Sequence, residues 1–172
     1  MITEQAIFEE VNELLISALR DELRKQGHFL TGTLEQSLRG EMSQLSNGFL
    51  LEGFALYYSG ILNDGVLPSK IPFSGRTGNG GTSQYIQALI QYWQQRGLDE
   101  KEATRAAFAT AYIHMKEGMS TSSSSRFSET GERQNFIGAV WEAISDKVDD
   151  IILGGYDQLI DEAFHQTKSE TV

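Results

Sequence analysis

From Ile137 to Ala163 the chain places Ile137, Val140, Trp141, Ile144, Val148, Ile151, Ile152, Tyr156, Leu159, Ile160 and Ala163 at intervals of mostly three and four residues. This stride is that of an α-helix and predicts one long helix with an apolar stripe, in which the pair Gly154-Gly155 is the place for a bend. An apolar stripe of that length must be covered, so the fold has to supply a surface for it. A second stripe lies at the other end of the chain, where Ile7, Phe8, Val11, Leu14, Leu15, Ala18, Leu19 and Leu23 repeat with the same spacing. Thr3 stands where an N-cap belongs and Gly27 where a helix stops, so the second predicted helix covers about residues 4–26.

The centre of the chain is more varied. Thr33 and Gln36 have capping-box spacing, which predicts a short helix opening at Leu34. Residues 40–56 alternate weakly and turn at Ser46-Asn47-Gly48, the pattern of a β-hairpin. Both prolines and a cluster of glycines come next, so the chain reads as a long loop before a helix over Ser83–Arg96 that stops at Gly97. A further helix is predicted over Glu100–Lys116, opened by Asp99 with Glu102 in the reciprocal position. The stretch "EGMSTSSSSRFSETGERQ" then has almost no apolar content. The expected fold is therefore α+β: long N- and C-terminal helices packed on a small antiparallel β-sheet, with extended loops. Chain length points to a single domain over residues 1–172. Residues 67–82 and 117–134 are the expected projecting arms, and residues 166–172 a polar C-terminal tail.

Composition narrows the chemistry. With no cysteine, disulfides and thiolate metal sites are excluded. The formal net charge of -10 repels phosphate backbones and anionic headgroups, so adhesive binding to nucleic acid or membrane is not expected. The start "MITEQAIFEE" is acidic and amphipathic, unlike a signal peptide, and the expectation is synthesis as a soluble intracellular protein. The stretch "SGRTGNGGTS" approaches a phosphate-binding loop, but Gly81 occupies the lysine position and two prolines precede it where a buried strand would lead in. Its glycines read as turns that deliver the chain to a helix start at Thr82 or Ser83. His28, His114 and His165 stand in separate segments, no G-x-S-x-G elbow is present, and Glu9-Glu10, Asp99-Glu100 and Asp149-Asp150 read as wet helix faces. No catalytic residue, metal ligand or cofactor emerges from these patterns, and the chain is not expected to be an enzyme.

Two short steps carry a resemblance. One is "TGTLEQSL", with Thr31, Gly32, Leu34 and Ser37, placed after the first helix; the other is "YYSGILNDGV", with Tyr58, Leu62 and Gly65, placed after the hairpin. In this order the chain resembles the tail-completion and head-to-tail joining, or neck, proteins of tailed bacteriophages. The later "SRFSETGERQNF" is similar to the arm of crAss-like phage relatives. The chain departs from that pattern in its longer middle, with an added helical pair at residues 83–116, and in Val66 where many relatives have Thr.

The resemblance implies a structural virion protein that forms a six-fold or twelve-fold ring in the phage neck, assembled in the bacterial host cytoplasm. Its implied partners are copies of itself, the portal, and adjacent connector and tail rings, while genomic DNA passes through without specific binding. Part of the acidic charge is expected to face the DNA channel, with general solvation as the competing reading. The candidate subunit-interface residues are Arg76, Arg126, Phe127, Arg133 and Trp141: arginines in the arms to meet acidic faces, and a tryptophan of the kind enriched at binding hot spots. Core burial is the default reading for Trp93 and Trp141. Two other readings stay open, a small intracellular binding or regulatory protein and an enzyme using the glycine loop.

Overall fold

In the computed structural model, which describes residues 2–46, 48–75 and 83–170, the chain is mostly helical with one two-stranded antiparallel sheet. Contacts gather into two compact units, residues 1–59 with 135–172, and residues 60–134, where chain length alone points to one domain.

The first unit is built on the two terminal helices. Helix α1 spans Glu4–Lys25, and the Thr3 side chain caps it by accepting from the Ala6 N–H at 3.1 Å. The helix α2 spans Thr33–Ser37, the strands β1 and β2 span Arg39–Leu45 and Gly48–Phe54, and the last helix of the chain spans Phe136–Glu170 without a break. That last helix, called α6 below, absorbs most of the segment whose composition suggests a polar tail. It runs antiparallel to α1. Ile7, near the start of α1, meets Gly155, while Val11 clusters with Val140, Ile144 and Val148 further back. Leu14, Leu15, Ala18 and Leu19 extend this seam, and Leu51 brings β2 to it. The strands pair in register from Arg39 opposite Phe54 to Leu45 opposite Gly48, with the Phe49 ring packed at a tilt against Phe8 of α1, 5.2 Å between ring centres. Asn47, in the predicted turn, lies outside the described residues.

One local expectation fails. The capping box at Thr33 and Gln36 does not form, because Gly32 takes the N-cap position in a left-handed conformation and no side chain caps the helix. Leu34 is nonetheless buried, and Arg20 of α1 donates to the carbonyls of Glu35 and Leu38 at 3.3 and 3.4 Å, so tertiary contacts hold this five-residue helix.

In the second unit, α4 (Gln84–Gln95) and α5 (Glu100–Glu117) form a helical hairpin. Ser83 and Asp99 cap them, accepting from the N–H groups of Ile86 and Glu102. Ala103, Ala107 and Ala111 recur every four residues and are fully buried, so the two backbones approach closely. Ahead of them comes α3 (Tyr58–Asp64), which the sequence pattern did not disclose and which contains the division between the two units. Val66 and Met119 then exchange a pair of backbone hydrogen bonds at 2.7 and 2.8 Å, a one-step antiparallel bridge that ties both ends of the unit together. The chain continues through a 3-10 turn at Pro68–Lys70 and the buried Ile71 to Phe73, whose ring faces Phe108 at 6.3 Å. The expected arm at 67–82 is therefore anchored over its first part, and residues 76–82 lie outside the described residues.

Candidate functional site

The segment 117–134 has the composition of a projecting arm. Instead, it is held against α4 and α5 of its own unit. The serine run is the reason. Ser122–Phe127 forms a 3-10 turn in which the Ser124 and Ser125 hydroxyls donate back to the Thr121 and Ser122 carbonyls at 2.6 and 2.9 Å. Short hydroxyl side chains are well suited to such local backbone bonds. Glu117 at the end of α5 fastens the start of the turn, accepting from the Ser122 N–H and hydroxyl at 2.8 and 2.7 Å. Those two bonds hold its carboxyl below the ordinary carboxylate value.

The turn presents Phe127 to a group of guanidiniums. Arg126, Arg96 and Arg133 stand over or beside its ring, at 4.9, 5.5 and 6.0 Å from the centre, and Arg96 also lies over Tyr92 at 5.0 Å. Each such contact contributes on the order of 0.5–1 kcal/mol at an exposed site. Burial pushes the Arg133 guanidinium below its usual value; Tyr92 acts in the opposite direction and the like charge of Arg96 adds to the lowering. Among the described residues, neither Arg96 nor Arg126 makes an ion pair with a carboxylate.

Beside this cluster is a cavity of about 290 Å³. Leu89, Tyr92, Trp93 and Ile113 from α4 and α5 supply apolar walls, while Ser123, Ser124 and Arg126 of the serine turn, together with Arg133, supply a polar rim. Trp93 is fixed in place because its indole N–H donates to the Thr110 hydroxyl at 3.0 Å. At the same face, the Tyr85 hydroxyl is 2.8 Å from Nδ1 of His114. Burial raises the Tyr85 pKa to about 12 and lowers that of His114, so a protonated phenol faces a neutral imidazole. The site thus combines an apolar pocket with concentrated positive charge and, at the same face, a tyrosine hydroxyl hydrogen-bonded to an imidazole.

Three of the five interface candidates, Arg126, Phe127 and Arg133, are brought together here. Trp141 is elsewhere, on α6, with 54 % of its surface exposed, so the default of core burial does not hold for it. Arg76 lies outside the described residues. Tyr92, read from the sequence with Trp93 as an apolar helix-face residue, stands here under Arg96, which was not singled out, although an aromatic residue one helical turn before an arginine is the spacing that allows their contact. Among the described residues, no group of three or more His, Asp or Glu converges as metal ligands would. No family model, curated protein or solved structure matches the chain.

Proposed function

We propose that this protein is a structural, non-catalytic subunit that assembles into a ring at the head-to-tail junction of a tailed phage, around the channel through which DNA passes. The observation that carries the reading is the end of α6. Tyr156 lies opposite Glu4 at the start of α1, and α6 continues from there to Glu170. That extension is about 20 Å of helix at roughly 1.5 Å per residue. It bears Ile160 and Phe164 at 51 and 71 % exposure, in line with Leu153 at 64 %, about two turns before Ile160 and three before Phe164. Leu153, Ile160 and Phe164 are spaced by seven and four residues, which puts them on one face, away from the Val148 and Gly155 face that meets α1. An aligned, uncovered apolar stripe of this kind marks a surface for another chain.

The two motif steps support the same reading by position. Thr31–Ser37 leads into and forms the short helix between α1 and the hairpin, and Tyr58, Leu62 and Gly65 lie in α3 and at its exit. The charge distribution fits a conduit: residues 1–59 and 135–172 carry seventeen Asp and Glu against six Lys and Arg, a balance that lets phosphates pass without adhering. Electron microscopy of the purified chain, with sedimentation across the micromolar range, tests the proposal. Closed six-fold or twelve-fold rings are expected, and a monomer throughout would refute it. The second reading, a small intracellular binding or regulatory protein, draws on the cavity of about 290 Å³ and predicts a monomer or dimer with a bound small ligand.

A further inference from the structure

Positive charge is concentrated in one part of the chain. Residues 60–134 carry eight Lys and Arg against seven Asp and Glu, the reverse of the balance in the acidic remainder. Within that part, three guanidiniums converge on Phe127, although like charges repel. An incoming anionic group would relieve the repulsion. The adjoining cavity, at about 290 Å³, sits at the bottom of the roughly 300–1,000 Å³ range of small-molecule pockets and suits one or two side chains. Its occupant has to present an apolar knob next to carboxylates.

The chain itself carries such a segment. On the exposed face of α6, Leu153, Asp157, Ile160, Asp161 and Phe164 succeed one another at four, three, one and three residues, so apolar and acidic side chains alternate along one helix face. Phe164, the most exposed of its large apolar residues, has Asp161 one turn before it. Tyr57 is also strongly exposed, yet its nearest carboxylate in sequence is Glu52, five residues away. We infer that the cavity in residues 60–134 receives the C-terminal end of α6 from a second copy, with Phe164 seated between Trp93 and Ile113 and Asp161 on the guanidinium of Arg126. This rests on the ring reading and deepens it. A contact between two different surfaces of identical chains is heterologous, the type that closes into rings.

The test uses the full chain and compares Phe164→Ala, Asp161→Arg, Arg126→Asp and the double swap Asp161→Arg/Arg126→Asp by sedimentation velocity, with circular dichroism to check folding. Each single variant should raise the dissociation constant for self-association about tenfold or more, the loss expected when a buried anchor or a charge partner is removed. The double swap should recover most of that loss. Once Trp141→Phe is shown by sedimentation to associate as the parent does, the emission of Trp93 in that background should shift on assembly and stay unshifted with Phe164→Ala. Rings that persist unchanged in every variant overturn this contact and leave the ring reading intact, whereas a chain that never associates overturns both. Single-variant losses without recovery in the double swap overturn the charge pairing. Inorganic phosphate that shifts Trp93 emission without affecting association reassigns the cavity to a small anion and also overturns the inference.

Discussion

Adding one methyl group at either of two adjacent glycines in α6 should have different effects, and the difference measures how closely α1 approaches. A Cβ at Gly154 meets nothing within 4 Å, whereas a Cβ at Gly155 falls 2.5 and 2.6 Å from Cγ1 and Cδ1 of the fully buried Ile7. In a helix interior, Gly→Ala gains about 1 kcal/mol from backbone propensity. Gly154→Ala keeps that gain in full. Gly155→Ala must offset it against overpacking of about 1–3 kcal/mol, which leaves the variant between neutral and about 2 kcal/mol less stable than the parent. The two variants should therefore differ by about 1–3 kcal/mol, and at roughly 2–4 °C per kcal/mol for a chain of this size their Tm values separate by several degrees. Urea unfolding followed by helical circular dichroism gives the free energies directly. Ile7→Val removes one of the two atoms in the way, so its cost should be smaller in the Gly155→Ala background than in the parent. If Gly155→Ala stabilises as much as Gly154→Ala, the two helices are not in contact at this point.

Three further outcomes concern the second unit. His114 has its pKa lowered below the ordinary 6.5 by burial, so the unfolded chain binds the proton more readily; stability is full above about pH 6.5 and falls as pH drops towards the folded value, and His114→Asn should flatten that slope between about pH 7.5 and 5. At Gly65, φ is +73° and an added Cβ would run into the Met119 carbonyl and the Gln134 side chain, so Gly65→Ala should cost at least about 2 kcal/mol and expose the unit to protease, read by thermal melts and limited proteolysis. Glu117→Ala removes both bonds to Ser122; trypsin should then cut faster after Arg126 and Arg133, and cleavage at the parent rate would show that the serine turn holds without it.

Elements with local causes were legible in the chain alone. Helix periodicity, the caps at Thr3 and Asp99, and the hairpin alternation depend on residues within three or four positions of one another; α1, α4, α5 and the two strands stand within a residue or two of where the signals put them, while α6 runs on to Glu170 through the segment read as a polar tail. Which exposed-looking segment is held, and which apolar residue is left uncovered, was set by packing between distant parts of the chain. The serine run has a composition typical of mobile chain, yet Glu117 and the facing helices fix it; Trp141 has the spacing of a core residue, yet it is exposed. Gly154 and Gly155 are indistinguishable in the sequence and differ only because Ile7, at the far end of the chain, lies against one of them. The meeting of Arg96, Arg126 and Arg133 on one ring was likewise invisible, since residues from separate segments become neighbours only through the docking of a helical hairpin and the turn that returns to it.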